Sequence, residues 1–253
     1  MKIFDLQAIY VMWLRQMKRF IRSKGRLVTT IVQPLFFLII LGAGFSSIAT
    51  GLESNYIHFL APGIITMAIL FSSMFTGISI LWDKQFGFLQ EVLVAPVSRL
   101  SIIVGRTLGG ATTALIQGFI ILLIAIGLGV PITSIFGLIL TVIFMILVAF
   151  AAVGFGLVLA SKMQDFQAFP LIMNLIIMPL LFLSSAFFPV AQNKTMQTIA
   201  YFNPMFYMVD GLRGSLIGAN NAALPIYIDL IVVFIFCLFM LGIGSYFFSK
   251  SEA

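Results

Sequence analysis

Very few residues of this 253-residue chain have side chains suited to chemistry. His58 and Cys237 are the single histidine and the single cysteine. Neither has a partner of its own kind with which to hold a metal or close a disulfide. The carboxylates are Asp5, Glu53, Asp83, Glu91, Asp165, Asp210, Asp229 and Glu252, and all fall at the ends of apolar runs or between them. No two share a run, so a paired general acid and base is excluded. Proton-driven carriers usually keep ionisable groups deep in the membrane, and their lack here argues against that class. Sodium carriers stay open, because backbone carbonyls alone can coordinate the ion. The sequence contains no G-x-x-x-x-G-K-[ST] loop, so the chain lacks that cradle for ATP. The expectation is a non-catalytic chain with no cofactor or metal of its own.

Two stretches mix charge with apolar residues in a way that suggests binding. The first runs from Phe86 to Arg99 and includes Leu89, Glu91 and Pro96. Proline disfavours helix in the residue before it, so a short helix can run from Phe86 to Ala95 and stop there. Phe86, Phe88, Leu89, Val92 and Leu93 would give that helix an apolar contact surface, with Glu91 and Arg99 as polar contacts. The plainer alternative is a solvated loop resting on the membrane. The second stretch begins at Asn203-Pro204, a good cap and first helical residue, and ends at Gly218. Met205, Met208, Val209, Leu212 and Leu216 form one face, while Asp210 and Arg213 lie three apart on another.

The elements that carry these stretches must sit in lipid. The chain is 61% apolar and 9% charged, with a mean hydropathy of +1.16. A soluble domain carries about a quarter charged residues. The formal net charge is +6, yet seven of the fourteen cations precede residue 27. That placement fits anionic headgroups and the cytoplasmic bias of basic residues rather than nucleic acid. Residues 3–22 are helically amphipathic: Leu6, Tyr10, Trp13, Leu14, Met17 and Phe20 oppose Arg15, Lys18, Arg19 and Arg22. This predicts a helix in the cytoplasmic membrane surface over 1–26, with Trp13 at headgroup depth; an ordinary juxtamembrane basic stretch is the alternative. The charges running to Arg26 do not fit a cleaved signal peptide.

Apolar runs then predict six transmembrane helices, near 27–48, 59–82, 107–128, 135–159, 169–187 and 230–248, with a kink at Pro34 and an anchor at Trp82. With six spans, Lys2, Arg15, Lys18, Arg19, Arg22, Lys24, Arg26, Lys84, Arg99, Arg106, Lys162 and Lys250 share one side. Only Lys194 and Arg213 take the other. Both termini are therefore expected in the cytoplasm. The outer segment 188–224 is too apolar for a plain loop. It reads as a re-entrant hairpin between spans five and six, with Pro189 at its entry; a helix floating at the interface is the alternative. Gly105, Gly109, Gly110, Ala114 and Gly118 form a small-residue stripe that suits close packing, either within the chain or between copies. The fold class is thus an all-α membrane protein with one transmembrane domain over 1–253.

Glu91-Val-Leu-Val-Ala-Pro96-Val-Ser-Arg99, followed by Val104-Gly105-Arg106, resembles the cytoplasmic segment of type-2 ABC export permeases. Leu183-Ser-Ser-Ala-Phe-Phe-Pro189 and Phe202-Asn-Pro204-Met-Phe-Tyr-Met-Val-Asp210-Gly-Leu-Arg213 resemble the outer hairpin of that family. The likeness is to its daunorubicin-resistance and nodulation-type members, which commonly place a proline where this chain has Ala191-Gln-Asn-Lys. The resemblance implies an exporter of the prokaryotic plasma (inner) membrane. Two permease subunits, this one and a second copy or a similar chain, would join two ATPase subunits that bind ATP and magnesium. It also implies a coupling helix within 83–106. Cargo would be a drug, a lipid or a lipid-linked compound, and membrane lipid the remaining partner. A secondary carrier or channel is the competing class.

Overall fold

The computed structural model describes residues 5–46, 56–87, 97–190 and 193–251. Among these are nine α-helices: α1 Leu6–Arg22, α2 Lys24–Ser46, α3 Tyr56–Gln85, α4 Arg99–Gly127, α5 Ile135–Lys162, α6 Ala168–Phe182, α7 Lys194–Tyr201, α8 Pro204–Ile217 and α9 Ile226–Ser251. Their starts are written locally. Asp5, Ser98, Ser134, Asn193 and Asn203 each accept a hydrogen bond from a backbone N–H of the first turn. Pro204 occupies the first turn of α8, and Gly218, at φ 110°, ends it. α2 continues through Pro34, and the sharp turn comes earlier, where α1 meets Leu27–Gly42 at 69°.

Four helices, α3, α4, α5 and α9, are long and apolar enough to cross a membrane. The bent pair of α1 and α2 raises the number to five if it counts as one span. The run at 169–187 differs from a plain span: α6 has only 15 residues, about 22 Å against a hydrocarbon core of about 30 Å. Beyond Phe182 the chain continues without helix, pressed against the start of α3. The Tyr56 hydroxyl donates to the Phe187 carbonyl at 2.7 Å. A Cβ added at Gly63 would lie 2.5 Å from the Ala186 carbonyl oxygen. Non-helical backbone at membrane depth survives only where protein covers it, and Ser184, Ser185, Ala186 and Phe187 are all buried.

α3 is the centre of the molecule and is buried almost all round, whereas α9 mostly faces outward. The small-residue stripe on α4 serves packing inside the chain. Gly105 and Gly109 lie under Ile9 and Gln16 of α1, while Gly110 and Gly118 meet Thr76 and Ile69 of α3. α5 and α9 touch backbone to backbone at Gly154 and Gly244.

The charged contacts fall at two ends of the bundle. One end gathers α1, Asp83, Arg99, Arg106, Lys162 and the last turns of α9. The other gathers the starts of α3 and α9, the 128–134 connection, residues 183–190, α7 and the C-terminal part of α8. From Thr107 to Ser161 the sequence has no charge, so a wholly uncharged layer separates the ends.

Candidate functional site

The first end is organised by one carboxylate. Asp83, in the last turn of α3, is 4% exposed and accepts from Arg15 at 2.7 and 2.9 Å and from Arg19 at 3.2 Å. Arg106 of α4, equally buried, lies 2.9 Å from its other oxygen and stands over the Phe248 ring of α9. Three guanidiniums from two helices thus converge on a third. The Gln16 amide donates to Ser79 Oγ at 3.1 Å, and the Asp5 N–H to Ser101 Oγ at 2.9 Å. α1 is therefore fastened at its start, its middle and its end.

This changes the expected face of α1. Met12, Gln16 and Phe20, one turn apart, are the buried residues, while Leu6 and Tyr10 point outward. The Trp13 indole donates to Thr112 Oγ1 at 3.1 Å. Hydrophobicity alone favours the Leu6 face. The glycines of α4 and the buried partners Asp83 and Ser79 select the other, because shape and polar satisfaction decide docking once two helices touch.

The segment predicted to couple to a partner begins and ends beside this cluster. Leu89, Glu91 and Pro96 lie outside the described residues. Phe86 follows α3 and is 75% exposed, with its ring edge against Trp82. Arg99 opens α4 and donates to the Ser249 carbonyl at 3.1 Å, placing a cation at the C-terminus of α9, where the helix dipole favours it. Phe86 and Arg99, which flank the segment, thus contact α3 on one side and α4 with α9 on the other.

The opposite end is built around Arg213. Its guanidinium donates to the Ser185 carbonyl at 2.7 Å and the Phe59 carbonyl at 3.3 Å. It also lies 4.0 Å from the centre of the Phe59 ring. Asp210, one turn earlier, is 3.8 Å away, and both side chains are buried. Asp210 spends its oxygens on the Ala223 and Leu224 N–H groups at 2.9 Å, pinning the connection to α9. Burial pushes the Asp210 carboxyl up, against the pull of those amides and of Arg213. Burial draws Arg213 down to about 10, which leaves it cationic at neutral pH. Asp229 of α9 is also buried, with no hydrogen-bond partner among the described residues.

Asn203 caps α8 through its oxygen, while its Nδ2 donates to the Leu180 carbonyl at 2.6 Å, so the α7–α8 turn is tied to α6. Pro204 follows in the first turn, and Pro189 belongs to the half-buried run along α3. The sequence set Asp210 and Arg213 three apart on one face of α8 without deciding whether that face is covered. Twelve of the fourteen residues of α8 are buried, and Gly211 packs on the Phe144 ring. Of the proposed residues, the structure brings Asp210 and Arg213 into one buried assembly with Phe59 and Ser185, while Asn203, at the other end of α8, holds Leu180 of α6. Asp83 and Ser185 were missed. The signal for Asp83 was a carboxylate closing an apolar run opposite a basic helix.

Neither end offers a nucleophile paired with a base, and no group of three metal-ligating side chains occurs among the described residues. What both ends do is hold helices to one another. Residues 7–217 match the family model described as ABC-2 type transporter. The chain belongs to the ABC-2 type transporter family. Asp83, Arg106, Asp210 and Arg213 all fall inside the matched region, while α9 and the connection through Ala223 and Leu224 follow it. A putative transport permease, ycf38, of Cyanophora paradoxa is 30% identical over 215 residues, 83% of this chain and 74% of that protein. The inner membrane transport permease YadH of Escherichia coli K12 is 27% identical over 241 residues, 92% of each chain. Nodulation protein J of Rhizobium leguminosarum bv. viciae is 27% identical over 226 residues, 84% of this chain and 83% of that one. As an ABC-2 transport permease the chain is a multi-pass membrane subunit, a class that is typically non-catalytic.

Proposed function

We propose that this chain is the permease subunit of an ABC exporter of the prokaryotic plasma membrane. It moves an amphipathic, hydrophobic or lipid-linked substrate outward by alternating access, driven by a separate ATPase. The observation that carries this reading is the family match over 7–217 in a chain without a phosphate loop. In the proposed assembly two copies of the permease, or two similar chains, join two ATPase subunits that hold ATP and magnesium. The uncharged layer between the ends suits such a cargo.

In this reading α2, α3, α4, α5, α6 with residues 183–190, and α9 make six crossings. Trp82 against Phe166 puts the start of α6 at the Asp83 end, and Arg213 on Ser185 puts its continuation at the other; both contacts support the count. α7 and α8 form a hairpin that re-enters from outside. Pro204, Met205 and Met208 reach Leu70 and Ala151, about half-way along α3 and α5, which supports that depth. Both termini and the Asp83 end face the cytoplasm, as the distribution of basic residues supports.

Orientation is tested by labelling intact cells with an impermeant thiol reagent. Arg99 and Lys194 are both exposed, and the native thiol, Cys237, is buried. In a Cys237→Ala background, Lys194→Cys labels and Arg99→Cys does not; the reverse pattern would invert the topology. The coupling role is tested at the segment 83–106. Leu89→Asp puts a carboxylate into the apolar contact expected with the ATPase, at a cost well above that of the lost methyl contacts. The expected result is an inserted protein that retains less than about a tenth of its ATPase on co-purification and no export in proteoliposomes. Unchanged partner binding and export would remove the segment from the mechanism. Cargo movement by the chain reconstituted alone would favour a secondary carrier or channel.

A further inference from the structure

The α1 clamp described above leaves cations unused. Lys18 and Arg22 are exposed on the side of α1 away from α4, with no carboxylate within 4 Å among the described residues. Arg19 shares Asp83 with Arg15 and Arg106. Arg15, Lys18, Arg19 and Arg22 together line a groove of about 580 Å³ whose wall has no acidic residue among the described residues. A second hollow of about 240 Å³ adjoins it, since Arg19 and Ser23 line both. Its other walls are Phe75, Ile78, Ser79 and Trp82 of α3. Phe75, Ile78 and Trp82 are spaced three and four apart and form one stripe. The stripe is about 10 Å long and leads from the cations toward the apolar middle of the helix.

A basic groove joined to an apolar slot at the elbow of α1 and α2 has the chemistry of both ends of a lipid. A free anion would use only the groove, and a neutral apolar molecule only the slot. Lys18 and Arg22, with no carboxylate within 4 Å among the described residues, add two uncompensated charges to Arg15 and Arg19 and select a negative headgroup, and a slot parallel to a candidate span selects a chain already aligned with the leaflet. We propose that this elbow binds one anionic phospholipid of the surrounding leaflet. Its phosphodiester sits on Lys18, Arg19 and Arg22, and one acyl chain lies against Phe75, Ile78 and Trp82. The lipid thereby holds the outer side of α1 as Asp83 holds its inner side.

The test uses the purified full chain in mild detergent, without ATP or ATPase, so its outcome does not depend on the transport reading. Lipid binding is followed by native mass spectrometry and by thermal-shift titration. Phosphatidylglycerol is expected to remain as a single bound copy and to raise the unfolding temperature. Phosphatidylcholine of the same chain length should bind about tenfold more weakly or worse. The double variant Lys18→Gln plus Arg22→Gln, at two exposed positions, should keep its lipid-free stability while losing about tenfold or more in phosphatidylglycerol affinity. Equal binding of the two lipids, or full affinity in the double variant, would overturn the proposal. Protection by inorganic phosphate or glycerophosphate equal to that by the lipid would reduce the site to a free-anion groove and overturn it as well.

Discussion

Arg213→Ala lowers the unfolding temperature of the detergent-solubilised protein by about 10 °C, the shift expected when one partner of a buried ion pair is lost at about 3–5 kcal/mol. The side chain is 4% exposed and holds together elements far apart in sequence: the Ser185 carbonyl after α6, the Phe59 carbonyl and ring on α3, and Asp210 on its own helix. Removing it strips a donor from buried non-helical backbone and leaves the Asp210 carboxylate without its cation. Arg213→Lys recovers only part of the loss, because an ammonium keeps the charge but not the planar fork that reaches two carbonyls and a ring. Asp210→Asn plus Arg213→Ala costs less than the sum of the two single changes, since the second removes the charge stranded by the first. A thermal scan showing Arg213→Ala within about 2 °C of the parent protein would refute the buried clamp.

Asp83→Asn should act at the opposite end and release α1. Asparagine fills nearly the same space but withdraws the charge on which Arg15, Arg19 and Arg106 converge. Arg15 and Arg19 are about a third exposed, so water screens much of their loss. Arg106, 4% exposed, has no such relief and sets the size of the effect at about 3 kcal/mol or more. The distinguishing readout is local. Amide exchange in Leu6–Arg22 should accelerate at least tenfold relative to α5, because α1 opens as a unit once its middle contact fails. Uniform acceleration across all helices would mean that Asp83 supports the whole bundle rather than α1. Export coupled to ATP hydrolysis should fall in parallel, since Asp83 precedes the segment proposed to seat in the ATPase.

The sequence alone determined that this chain is an all-helical, multi-pass membrane protein and that α8 begins at Asn203-Pro204. These properties are local or additive. A cap is set by Asn203 and the next few residues, and the apolar excess follows from counting along the chain. The sequence also set Asp210 and Arg213 three apart, within reach of one another on a helix. Tertiary structure decided what each polar group touches. Which face of α1 docks depends on glycines of α4 a hundred residues away and on Asp83 and Ser79 of α3, which together outweigh the more apolar stripe through Leu6 and Tyr10. Asp83 gained its role only when α1, α3 and α4 met. α6 stops at Phe182 although apolar residues continue, because the backbone after it finds donors on Tyr56 and Arg213. α8 is buried on all sides although it carries an aspartate and an arginine, for the same reason: in a bundle surrounded by lipid, a charge is stable wherever the fold supplies its partners.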